Sequence, residues 1–241
     1  MPITRRNLLP VVGIAAVAAG GAFAGWRVLG RPKAADAATS TPVPATMATQ
    51  AAPASPAPAP QALPAGPQYT LRTLGSDSAP VKVHEYFSLT CTHCAHFATV
   101  VMPQVKPKLV DTGKVQFIYH DFPLDQVALK AAQVARYLPA ALYYPFVEAL
   151  FSSQDDWAFQ PNEDYHASIF KYAALAGMDQ ATYDKAWNDD ALAQFILDGQ
   201  KQAETEYKIT ATPTFIINGK TYPGAMEYDD FAAKVAQAAG G

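Results

Sequence analysis

Cys91 and Cys94 are the only cysteines in a chain of 241 residues, and Thr92 and His93 stand between them. On a helix, a three-residue offset places two side chains about 60° apart, on one face and within reach of a disulfide. The stretch Glu85-Tyr86-Phe87-Ser88-Leu89-Thr90 before them reads as a strand running into a helix. Thr90 occupies the N-cap position and Cys91 opens the first turn. Unpaired backbone N–H groups and the positive end of the helix dipole then favour a thiolate at Cys91. The thiolate, not the thiol, attacks a disulfide. Two other readings compete, an inert pair and a metal site. No second cysteine pair completes a four-cysteine zinc site. His93 and His96 lie close by, but on a helix they point roughly 160° away from the cysteines, so one ion does not easily meet all four. Redox chemistry is the reading preferred, with no metal expected.

Glu85 is the second residue with chemistry to offer. It precedes Cys91 by six positions and shares a strand face with Val81, Val83 and Phe87. A carboxyl on such an apolar face is desolvated and its pKa rises. It could accept the proton of Cys94 and return it during exchange. The plainer reading is a solvated strand-end acid.

These residues need elements to hold them. Residues 69–74 suggest a short first strand, and Val81–Phe87 a buried one. The helix from Cys91 should run to about Asp111, kinked or broken by Pro103 and Pro107 and ended by Gly113. Residues 114–119 form a β-branched and aromatic strand, which completes a βαβ unit. Residues 124–207 show helical periodicity and no strand signal. Helices are expected near 127–138, 141–151, from Asn162-Glu163 to Gly177, 179–188 and 191–207. Residues 214–217 return to strand, Asn218-Gly219 signals a type I′ hairpin with 220–222 opposite, and 227–239 form an amphipathic helix. The core is therefore α/β, split by an all-helical insertion.

The first 68 residues look different. Arg5-Arg6 precede 17 uncharged residues, Leu8 to Ala24, which end in Ala22-Phe23-Ala24. That order matches an export signal of twin-arginine type, although Pro10 departs from it. Arg27, Arg31 and Lys33 beyond the apolar run leave an uncleaved membrane anchor as the alternative. Residues 25–68 follow as a tether: no charge falls between Ala37 and Leu71, and 8 of the 20 prolines lie between Thr39 and Pro67. It holds no apolar pattern on which to build a dimerisation domain, so a monomer is expected. A net charge of −3 gives no reason to expect a nucleic-acid partner.

Three stretches carry a family resemblance: Glu85-Tyr-Phe-Ser-Leu-Thr-Cys91-Thr-His-Cys94, Phe117-Ile-Tyr-His-Asp-Phe-Pro-Leu124 and Thr210-Ala-Thr-Pro-Thr-Phe-Ile-Ile-Asn-Gly-Lys220. Together they resemble the DsbA-like thiol–disulfide oxidoreductases of the thioredoxin superfamily, over about residues 69–240. The resemblance implies a thioredoxin-like fold (69–123 and 208–241) interrupted by a helical insertion (124–207). It implies Cys91 as the exposed nucleophile and Cys94 as its buried partner, with Thr92 and His93 tuning the couple. His93 matches the oxidants of the family, whereas Thr92 replaces their commonest Pro. Thr212-Pro213 matches the cis-proline loop, whose Thr212 backbone would pair with an extended substrate. The plainer reading of Pro213 is a strand-entry proline, and Thr212 stands where strong oxidants often carry Val. The implied function is a periplasmic enzyme that introduces disulfides into unfolded exported proteins. It needs no metal or organic cofactor and is reoxidised by a membrane partner. An isomerase or reductase with the same site, and a metal-binding chaperone, are the alternatives.

Overall fold

A computed structural model of the chain describes residues 65–160 and 164–240. The expected export signal or anchor (1–24) and nearly all of the tether (25–68) lie outside the described residues. Two central strands carry the architecture, β2 (Val81–Phe87) and β3 (Val115–Asp121). They are parallel, and Glu85 stands opposite Tyr119 in the register. The short β1 (Arg72–Leu74) pairs antiparallel with β3; of the strand expected over 69–74 only this half forms, because Tyr69 closes a 3-10 turn at Pro67–Tyr69 and residues 70–71 are irregular. The C-terminal hairpin, β4 (Thr214–Ile217) and β5 (Lys220–Pro223), docks antiparallel on β2. The five-stranded order is β1-β3-β2-β4-β5. Asn218 and Gly219 both have positive φ, 43° and 86°, as a type I′ turn demands.

The helix after β2 begins one residue later than the sequence suggests. Its first regular segment is Thr92–His96, and Cys91 rather than Thr90 is the N-cap, with extended backbone at φ −85° and ψ 118°. Thr90 is drawn elsewhere: its hydroxyl donates to Asp125 Oδ2 at 2.6 Å. The helix, α1, then runs through residues 92–110 without the break that two prolines suggest. Wide π turns at Phe97–Val101 and Lys106–Val110 alternate with regular helix at Met102–Val105. The N–H groups of Met102 and Asp111 reach back five residues, to Phe97 and Lys106. That spacing accommodates the missing donors of Pro103 and Pro107 within a continuous helix. Gly113, at φ 74°, ends the segment as expected.

The insertion is helical throughout its described length: α2 (Gln126–Tyr137), α3 (Ala140–Ser152), α4 (Gln154–Trp157), α5 (Tyr165–Leu175), α6 (Gln180–Trp187) and α7 (Asp190–Glu206). Aspartates cap four of these helices. Asp125, Asp164, Asp179 and Asp189 each accept from an N–H three residues on, worth about 1 kcal/mol apiece. Asp164 therefore replaces Asn162 as the start of α5, and the one-turn α4 was not foreseen. The last helix, α8 (Tyr228–Ala239), closes the fold.

One apolar core runs without interruption from the sheet into the insertion. It joins Phe117 and Phe215 of the sheet, and Phe97 and Phe231 of the helices packed on it, to Phe146, Leu150 and Trp157 of the insertion. Burial of such side chains at about 1.5–3 kcal/mol each makes the two parts one cooperative body. A buried ion pair, Arg136 to Asp121, ties α2 to the end of β3, and Tyr143 donates to the same carboxylate at 3.2 Å. Asp121, the last residue of β3, thus anchors the insertion.

Candidate active site

Cys91 and Cys94 sit at the N-cap and third position of α1, at the C-terminal end of β2. Both are free thiols. Cys94 is wholly buried and Cys91 is 8% exposed. The nucleophile expected to be exposed is thus nearly covered, with the Thr212 carbonyl 3.3 Å from its sulfur. Thr92 and His93 between them are exposed.

The surroundings push the two sulfurs in opposite directions. The Cys91 pKa falls from 9.0 to about 5. The largest cause is the Cys94 thiol, which donates to the Cys91 sulfur; burial opposes, and the Thr212 hydroxyl and the backbone N–H groups of Cys94 and His93 add to the fall. Cys91 makes no cap hydrogen bond of regular geometry, yet those N–H groups face the sulfur as the donors of any first helical turn do. His93 contributes through its backbone here. One contact works the other way: the Thr212 carbonyl accepts from Cys91 Sγ at 3.3 Å, which suits a thiol. The donors outweigh it. Burial drives the Cys94 thiol well above its ordinary range, and the neighbouring Cys91 sulfur reinforces this. Such a pair has an attacking sulfur that is anionic at neutral pH and a partner that holds its proton.

The Thr212–Pro213 peptide bond is cis. Thr212 is 8% exposed, and its hydroxyl has no regular hydrogen-bond partner. Glu85 lies beneath the cysteines, 4% exposed. Desolvation, then the charge of Cys91, raises its pKa from 4.5 to about 8. The structure thus brings Glu85, Cys91, Cys94, Thr212 and Pro213 to one place, while Thr92 and His93 form its outer rim. Among the described residues no group of three or more His, Cys, Asp or Glu is placed to hold a metal ion. His96 instead pairs with Glu227 at 2.9 Å, and His84 with His120 at 2.9 Å.

One backbone N–H and two side chains of the insertion hold the loop between β2 and α1. Leu124 N–H donates to Ser88 Oγ at 3.2 Å, Thr90 donates to Asp125, and the Gln154 amide donates to the Leu89 carbonyl at 2.7 Å. Gln154 carries no signal in the sequence. It is a polar residue just past a helix end, and its bond spans 65 residues.

A family model described as thioredoxin matches residues 68–237. The chain belongs to the thioredoxin family. Within that family it is DsbA-like: it is 32% identical to α-DsbA1 of Wolbachia pipientis, whose crystal structure it matches with a TM-score of 0.66 over 70% of this chain and 91% of that one. A Rickettsia felis protein whose name places it among protein-disulfide oxidoreductases is 29% identical over 147 residues, 61% of this chain and 52% of that protein. The chain spans about half the length of the curated Rickettsia relatives it matches. The oxidised BdbD of Bacillus subtilis, 20% identical with a TM-score of 0.62 over 71% of this chain and 94% of that one, shares the fold. The expected thioredoxin-like fold with a helical insertion therefore stands.

Proposed function

We propose that this protein is a thiol–disulfide oxidoreductase that introduces disulfides into unfolded exported proteins. The observation that carries the reading is the split between the sulfurs: Cys91 lowered to about 5, and Cys94 raised and buried one helical turn away. A substrate thiolate attacks Cys91 Sγ of the oxidised enzyme, the Cys91–Cys94 bond breaks, and a mixed disulfide forms. Cys94 leaves with the electron pair and takes the proton held by Glu85. The second thiol of the substrate then attacks the mixed disulfide, leaving the substrate oxidised and Cys91 a thiolate. Stabilisation of that thiolate favours the reduced enzyme and makes its disulfide the stronger oxidant. The Thr212 backbone beside Cys91 would align an extended substrate segment by strand-type hydrogen bonds. In this reading Thr92 and His93 tune the couple.

The protein acts outside the cytoplasm as a monomer, exported by or anchored through residues 1–24 and held on a tether ending near residue 68. A membrane partner restores the disulfide. Among the described residues, no helix is long and apolar enough to cross a membrane. Thr212, where strong oxidants often carry Val, favours a second reading as isomerase or reductase. The reduction potential against glutathione decides. An oxidase lies far above the thioredoxin value of about −270 mV, towards the value of about −120 mV of strong oxidants. A potential at or below the thioredoxin value contradicts the proposal.

A further inference from the structure

Glu85 is almost closed off from water, yet its proposed role requires it to lose and regain a proton in every cycle. A small cavity of about 10 Å³ lies beside it, lined by residues of β2, β3, α1 and α3. That is room for one water. Its polar lining is Glu85, Tyr119, Tyr144 and Glu148, and its walls include Ala98 and Met102 of α1. Burial is graded along it. Glu85 and Tyr119 are 4% exposed, whereas Tyr144 and Glu148 on α3 are half-buried. Tyr119 stands opposite Glu85 in the β2–β3 register, and its hydroxyl is fully buried without a hydrogen-bond partner. An orphaned hydroxyl costs about 1–3 kcal/mol unless a water satisfies it.

We propose that Glu148 is the outer station of a proton route that runs from Glu85, through one water held by Tyr119 and Tyr144, to solvent. This rests on the reading of Glu85 given above. When Cys94 leaves the enzyme disulfide with its electron pair, the Glu85 carboxylic acid protonates it. The resulting Glu85 carboxylate takes a proton from the water, which is resupplied through Glu148. When Cys94 next attacks a disulfide at Cys91, Glu85 first releases its proton along the same path and then, as the carboxylate, takes the proton of Cys94. The titratable groups facing Glu85 are Cys91 and Cys94 at the start of α1, Tyr119 from β3, and Tyr144 and Glu148 from α3, the last across the cavity. Of these, only Glu148 is both an acid of carboxyl type and in contact with solvent. The insertion therefore supplies a working residue to a site built on the thioredoxin-like part.

The test is stopped-flow reduction of the oxidised enzyme by dithiothreitol across pH, for the wild type, E85Q, E148Q, E148D and E148A with and without added formate. Glu148 acts through a relay, so E148Q and E148A should slow exchange roughly tenfold, less than the 10²-fold or more of a direct acid–base group. E148D should stay near wild type, formate should restore E148A, and the reduction potential of E148Q should equal that of the wild type. Slow E85Q with E148Q at the wild-type rate overturns the route and leaves Glu85 in place. Slow E148A that formate does not restore, or a shifted potential, makes Glu148 structural and overturns it as well. Wild-type rates in E85Q remove the reading of Glu85 and the route with it.

Discussion

Cys94 donates to the sulfur of Cys91, and this one contact does more than any other to lower the Cys91 pKa to about 5. The helix N-terminus, which sequence reasoning makes the main cause, contributes through the N–H groups of His93 and Cys94 but ranks lower. Replacing Cys94 by Ala removes the donor. The Cys91 pKa should climb from about 5 towards its ordinary value of 9.0. Cys94→Ser keeps a donor and should stay lower. The pH dependence of iodoacetamide labelling separates the two variants.

Glu85 makes a different prediction, in stability. Its folded pKa of about 8 exceeds the 4.5 of an unperturbed glutamate. Below pH 4.5 both states hold the proton and stability is unaffected. As pH rises to 8, the unfolded chain ionises first, so the folded state loses ground until Glu85 ionises too. Relative to Glu85→Gln, the reduced wild type should lose on the order of 3 kcal/mol between pH 4 and pH 7. Urea denaturation at a series of pH values measures this. Parallel curves for the two proteins would place the carboxyl in solvent.

The ion pair of Arg136 with Asp121 joins α2 to the end of β3 in a buried setting, with side chains 8% and 3% exposed. Removing one partner leaves the other charge buried. Asp121→Ala should therefore cost about 3–5 kcal/mol, read as a lower denaturation midpoint. Because sheet and insertion share one core, a single transition is expected for the variant as for the wild type.

Asp125 serves two elements. Oδ1 accepts from Ala128 N–H at 2.8 Å, capping α2, and Oδ2 accepts from Thr90 at 2.6 Å in the loop before Cys91. Asp125→Ala should cost about 1–2 kcal/mol through the cap. Thr90→Ala removes the loop contact and spares the cap. It should cost less than about 1 kcal/mol and still slow exchange with a peptide substrate. Equal exchange rates for Thr90→Ala and wild type would show that the contact does not position the loop.

Local chemistry was legible in the sequence wherever it alone decides the structure. The Asn218-Gly219 turn, the stop at Gly113 and the apolar face that buries Glu85 all follow from residue type and spacing. Three features escaped because they depend on distant partners. Thr90 looks like an N-cap until Asp125, 35 residues on, takes its hydroxyl. Pro103 and Pro107 look like breaks until π turns absorb them. Gln154 looks like a linker residue and Glu148 like an ordinary helix residue until the fold of the insertion brings them to the active-site loop and the Glu85 cavity.

The charge of the Cys91 sulfur decides whether this site exchanges disulfides at neutral pH. The most direct measurement is the alkylation rate of Cys91 in the reduced protein as a function of pH, followed alongside the ultraviolet absorbance of the thiolate. A single titration near pH 5, with the sulfur fully reactive at pH 7, is the predicted result. A midpoint near the ordinary cysteine value of 9.0, with slow reaction at pH 7, would contradict it.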